Sequence, residues 1–176
     1  MCKKNHNFVL RIVLISCIVT GNAYSQTSSA ALAVYEKMKN GICVGHFENF
    51  PNNSDLNNNK EYMNMVKNAG FKSIRFFNNC SMPAGYQTGV VRDALELNLV
   101  INLCMFAFSG TTKEQYVSKW KEIAVAYQSF SADLVFEMFN EPRMAPGLTD
   151  RATVMDWINS AAFEIRKISP NRILLI

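Results

Sequence analysis

Four times between residues 42 and 165, a short apolar run gives way to a longer stretch whose apolar residues recur every three or four positions. Runs of the first kind suit strands and stripes of the second suit amphipathic helices, because side chains repeat every 2 residues along a strand and every 3.6 along a helix. The alternation recurs at close to the roughly 30 residues of a strand–helix–strand unit. A chain patterned this way has few options. Its strands run parallel in one sheet, and its helices cover that sheet.

In chain order, Ala31, Val34, Tyr35 and Met38 form a leading helical stripe stopped by Gly41, and residues 42–47 read as the first strand. Residues 51–59, rich in Asn, read as a solvated loop. Tyr62, Met65, Val66 and Ala69 make the next helix, ended by Gly70, and residues 71–76 are the second strand. Pro83 and Gly85 mark a turn-rich piece before a short helix over residues 90–98. Residues 99–105 are apolar almost throughout, as a parallel strand buried on both faces must be. Tyr116, Trp120, Ile123, Ala124 and Tyr127 then give a long helix, followed by a fourth strand over residues 133–139. Trp157, Ile158, Ala161 and Ile165 repeat the stripe, with Thr149 or Asp150 as its N-cap, and both tryptophans fall on core-facing positions. After Ser169-Pro170 a fifth apolar strand occupies residues 172–176. Five parallel strands can close as a doubly wound sheet, or they can be part of a (β/α)8 barrel, which needs eight strands and about 250 residues.

The start of the chain has a different character. Lys3 and Lys4 precede an apolar run over residues 8–19, interrupted by Arg11 and Ser16, and Ala23-Tyr24-Ser25 puts small residues where a signal peptidase reads. The run falls short of the roughly 20 apolar residues of a transmembrane helix. Residues 1–25 are therefore expected to be a signal peptide, making the protein secreted, periplasmic or cell-surface, with no membrane attachment after cleavage. The rival is Leu14-Ile15-Ser16-Cys17, which resembles a bacterial lipobox and would tether the protein through Cys17. The net charge of +4 owes three of its cations to that segment, so no basic patch remains to bind nucleic acid. Cys43, Cys80 and Cys104 cannot all pair and match no zinc spacing, so they read as small buried hydrophobes.

Chemistry concentrates in Leu134-Val135-Phe136-Glu137-Met138-Phe139-Asn140-Glu141-Pro142-Arg143. Strict alternation puts Glu137, Phe139 and Glu141 on one face, and Pro142 ends strand pairing, leaving Glu141 at the C-terminal rim where barrels hold ligands. Other strand ends bring His46 and Glu48, Arg75 with Asn78 and Asn79, and Phe106, Phe108 and Ser109 to the same rim. Phe47, Phe106 and Phe108 are candidates for an aromatic platform under a sugar ring. A carboxylic acid, an amide and a guanidinium suit glycoside hydrolysis: the acid protonates the leaving oxygen, the amide holds a hydroxyl, and the guanidinium keeps a second carboxylate ionised. That second carboxylate has no candidate here. Asp150, Asp156 and Glu164 all fall in or at the start of the next helix, so no nucleophile is found in this chain. Glu137 reads as an interior charge that needs a partner. Two-carboxylate chemistry calls for neither metal nor organic cofactor.

The heptapeptide Phe136-Glu137-Met138-Phe139-Asn140-Glu141-Pro142 resembles the fourth-strand signature of glycoside hydrolase family 5, the cellulase family. Gly41-Ile42-Cys43-Val44-Gly45 is similar to its first-strand glycine pattern, and residues 69–76 resemble the second-strand stretch that ends in its arginine. The resemblance implies an α/β fold, a (β/α)8 TIM barrel of which this chain carries about the first five strands, over residues 26–176. It implies Glu141 as general acid/base, Asn140 as partner of the sugar 2-hydroxyl, and Arg75 as support for a nucleophile on a seventh strand. His46 joins Asn140 and Arg75 as a substrate-binding candidate. Where the family usually has a histidine at the end of its third strand, Cys104 or Met105 stands here.

The expected activity is that of a secreted, retaining endo-β-glycanase, hydrolysing β-1,4-glucan or a related polysaccharide and inactive as these residues alone. The alternative is a non-catalytic carbohydrate-binding or surface protein on a degenerate barrel. A small doubly wound domain for another ligand is a third option, which no glycine-rich phosphate loop supports.

Overall fold

The computed structural model describes residues 29–44, 56–107, 110–142 and 150–176, so the expected signal segment and Cys17 lie outside it. Five strands, β1 (Gly41–Cys43), β2 (Ser73–Asn79), β3 (Val100–Phe106), β4 (Leu134–Glu137) and β5 (Leu174–Leu175), form one sheet in the order β1-β2-β3-β4-β5. Every neighbouring pair is parallel. Helix α1 (Ser29–Met38) precedes the sheet, and α2 (Leu56–Asn68), α3 (Thr88–Glu96), α4 (Lys113–Ala126) and α5 (Arg151–Ile168) occupy the four crossovers. This order separates the two closures left open by the strand count. A doubly wound sheet reverses its direction of growth at a switch point. Here each new strand joins the previous one without reversal, as in a (β/α)8 barrel, of which five strands are present.

The two faces of the sheet bury different things. Ile74, Phe76, Ile101, Leu103, Met105, Leu134, Phe136 and Leu174 pack in one core with Val90 and Val91 of α3, Trp120 and Ile123 of α4, and Ile158 and Ile165 of α5. The opposite face carries Val100, Val135, Ile173 and Leu175, which pack with Ala31 and Val34 of α1. Further along the strands that inner face becomes polar, with Arg75, Asn102, Cys104 and Glu137. An apolar floor sealed by α1 thus lies beneath a polar mouth.

Local chemistry accounts for most boundaries. Thr112 caps α4 with a reciprocal box, its hydroxyl accepting from the Gln115 amide while the Gln115 side chain accepts from the Thr112 N–H at 2.8 Å. Asp150 caps α5 by accepting from the Thr153 amide at 2.8 Å. After α2, Gly70 takes φ +92°, and Phe71 N–H reaches back to the Val66 carbonyl at 3.3 Å. That is the left-handed stop glycine favours. Before β5, the buried Arg172 guanidinium donates to the carbonyls of Tyr127, Phe130, Ser131 and Leu134, lashing the α4–β4 connection to the sheet. Burial pulls its pKa down to about 10, leaving it charged at neutral pH.

Several expectations are corrected. Helix α2 begins at Leu56, inside the Asn-rich segment read as loop. Asparagine is a poor helix former, and burial of Met63 and Val66 overrides that preference. Strand β2 runs to Asn79 and β4 stops at Glu137. Cys43 is exposed, not buried, because its side chain lies at the open mouth beside Arg75. Trp120 and Trp157 are core residues as expected.

Candidate active site

Adjacent strands bring five side chains to one spot. In register Arg75 opposes Cys43 on one side and Asn102 on the other, while Glu137 opposes Cys104. Arg75 grips Glu137 with two parallel bonds, Nε to Oε2 at 2.7 Å and Nη2 to Oε1 at 2.5 Å. Asn102 donates to the same carboxylate at 2.6 Å. Burial works to raise the Glu137 pKa, but the hydrogen bonds and charge of Arg75, aided by Asn102 and Cys104, outweigh it and hold the carboxyl below its usual range. The hydrogen bonds of Glu137 raise the guanidinium in turn. Burial, then the nearby Glu137 charge, pushes the Cys104 thiol up, so it stays protonated. Phe77, two residues beyond Arg75, lies 4.7 Å from the guanidinium and covers it by a cation–π contact.

Beyond Glu137 the backbone leaves the strand, and two contacts pin it. The Met138 N–H donates to the Leu175 carbonyl at 2.9 Å, and the Asn140 N–H donates to the Met105 carbonyl at 2.7 Å. The buried Tyr116 hydroxyl of α4 donates to the Met138 carbonyl. Strict alternation therefore fails past Glu137. Phe139 turns to the helix layer, stacking on Tyr116 at 4.8 Å, and Asn140 takes the inner side, its Oδ1 3.0 Å from Arg75 Nη2. The expectation that Glu137, Phe139 and Glu141 share a face is corrected accordingly. Glu141 is exposed and held at φ +44°, an unfavourable setting for a residue with a Cβ, and all the more so before Pro142. Backbone strain of this sort gathers at functional sites.

Other rim candidates fare differently. His46, Phe47, Glu48, Phe108, Ser109 and Arg143 lie outside the described residues. Asn78 is buried toward the helices, where its Nδ2 lies 3.3 Å from the Gln87 side-chain oxygen, and Asn79 accepts from the Ser81 and Met82 amides in the following turn. Asn78 therefore does not serve the mouth, because β2 continues further than its sequence suggested. Of the two residues standing where a histidine was expected, Met105 is buried in the outer core and Cys104 touches Arg75 at 3.0 Å. Among the described residues, no three His, Cys, Asp or Glu side chains group as metal ligands.

A family model, Cellulase (glycosyl hydrolase family 5), matches residues 35–176, which span every strand of the sheet and the whole polar mouth. The chain belongs to this family. Among solved structures, one named endoglucanase shares 21% identity at a TM-score of 0.64, with 83% of this chain and 53% of that one covered. Thermotoga maritima Cel5A in complex with cellobiose shares 23% identity at a TM-score of 0.62, covering 80% of this chain and 52% of its own. The same enzyme in complex with mannotriose gives 22% identity and a TM-score of 0.60, over 80% and 52%. The chain thus spans about half the length of these glycosidase barrels. No curated protein matches it. Within the family barrel, Asn102, Phe77 and Tyr116 are the supporting residues that motif reading passed over. Phe77 was within reach, since it lies two positions from Arg75 on the same face. Asn102 and Tyr116 required knowledge of which strands and helices adjoin.

Proposed function

We propose that the chain forms the acid/base half of a secreted, retaining endo-β-glycanase that cleaves β-1,4-glucan or a closely related polysaccharide. Glu141 acts as general acid, protonating the leaving oxygen, and then as general base for the attacking water. Asn140 holds the 2-hydroxyl, Arg75 orients and keeps ionised the nucleophilic carboxylate, and His46 contacts substrate. That carboxylate, by family resemblance, comes from a seventh strand that these five strands do not include. Residues 1–25 direct export, which suits a polymeric substrate outside the cell. The carrying observation is Glu141, exposed and strained in the segment just past β4, next to an asparagine tied to Arg75.

The test uses the full-length enzyme and a soluble β-1,4-glucan. Glu141→Gln should lower turnover by about 10² to 10⁴, the usual worth of a positioned acid/base group. Unchanged turnover would remove Glu141 from the mechanism. Residues 26–176 alone should show no turnover, and hydrolysis by them would mean the second carboxylate lies within this sequence.

A further inference from the structure

We propose that Glu137 is a positioning residue which, through Arg75, fixes the direction of the Asn140 amide, so that Asn140 offers hydrogens and not its oxygen to the sugar. The proposal rests on the glycosidase reading above and assigns a role that reading leaves empty. A guanidinium only donates, so the Asn140 atom 3.0 Å from Arg75 Nη2 must be the side-chain oxygen. The Asn140 Nδ2 group is thereby turned away from the guanidinium, and a sugar hydroxyl placed there acts as acceptor.

The order depends on Arg75 itself standing still. Nη2 carries two hydrogens: Glu137 Oε1 at 2.5 Å takes one, and the other is shared between Asn140 Oδ1 and Cys104 Sγ, each at 3.0 Å. The second bond from Nε to Glu137 fixes the guanidinium plane, and Phe77 closes over it. Glu137 in turn is held by Asn102 from the neighbouring strand. Asn102, Glu137, Arg75 and Asn140 thus form a relay across β2, β3 and β4, ending at the residue before Glu141. A carboxylate occupying both Nε and Nη2 does more than neutralise charge. It leaves the arginine one free hydrogen at Nη2, on the side where Asn140 Oδ1 and Cys104 Sγ lie, and of these two the amide oxygen is the stronger acceptor.

The experiment compares hydrolysis of an aryl β-cellobioside with that of the analogue lacking the 2-hydroxyl on the ring bearing the aryl group, using the full-length enzyme. In Glu137→Gln the preference for the hydroxylated substrate should shrink about tenfold, the loss expected when a charged hydrogen bond stops ordering its neighbour. Hydrolysis of the deoxy substrate should change far less. Equal losses on both substrates would mean a structural role only and would overturn the proposal. Asn102→Ala, which leaves the ion pair in place, should shift the ratio in the same direction by a smaller factor, and it carries the test if Glu137→Gln does not fold. Side-chain ¹⁵N–¹H NMR of Asn140 reads the positioning without turnover. Its two amide hydrogens, distinct in any asparagine because rotation about the C–N bond is restricted, should shift toward the positions of a free asparagine side chain in either variant, and an unaltered spectrum would overturn the proposal. An unmutated enzyme that hydrolyses neither substrate would refute the glycosidase reading, while the amide spectra would still decide the positioning.

Discussion

Breaking the Arg75–Glu137 pair from one side should cost far more than removing it altogether. Arg75→Met leaves a carboxylate with Asn102's amide and a thiol, and Glu137→Met leaves a guanidinium facing one amide oxygen and two sulfurs. Stranding a buried charge costs about 3 to 5 kcal/mol. Because 26% and 22% of the two side chains stay exposed, the lower figure applies, about 3 kcal/mol for each single variant. The double variant strands no charge and fills the space with apolar atoms, so its cost should not exceed that of either single change, giving a coupling of at least about 3 kcal/mol. Urea denaturation followed by tryptophan fluorescence suits the measurement, since Trp120 and Trp157 are both buried in the core these strands support. The dependence on urea should keep one slope across the four proteins. If the two single losses add to within about 0.5 kcal/mol in the double variant, the groups do not depend on each other and the reasoning fails.

Acid should expose the same pair. Since Glu137 titrates lower in the folded state, its contribution is complete above its unfolded pKa of about 4.3 and is lost as pH falls through the lower folded value; the Met/Met double variant should lack that component of acid unfolding, measured by circular dichroism. Arg172→Leu removes a donor from four carbonyls, of which those of Tyr127 and Ser131 keep a backbone N–H, and should destabilise by roughly 2 kcal/mol, at about 1 kcal/mol for each of the other two; a loss under about 0.5 kcal/mol would mean water replaces the guanidinium. Thr112→Ala removes half of the α4 capping box and should lower stability by about 1 kcal/mol, visible as a drop in Tm of about 2 to 4 °C.

The strand–helix alternation, the parallel class and the motif around Glu141 were legible because each is written in a local period or a short string. The run at residues 99–105 needs no partner to declare itself a buried strand, and Gly70 marks the end of α2 by its own backbone freedom. The Asn-rich start of α2 was not legible, since helix formation there follows from burying Met63 and Val66 against elements far along the chain. Asn78 looked like a rim residue until β2 proved longer than its apolar run.

By itself the sequence determined where the main strands and helices fall, that the strands lie parallel, and that the segment around Glu141 carries the family motif, because periodicity and side-chain chemistry act over a few residues. Tertiary structure decided the monotonic strand order that favours a barrel over a doubly wound sheet. It also turned Phe139 outward and Asn140 inward, and made Glu137 the partner of Arg75. Those outcomes depend on contacts between residues distant in sequence, such as Arg75 and Glu137, which lie 62 positions apart, and no local pattern encodes a pairing across that distance.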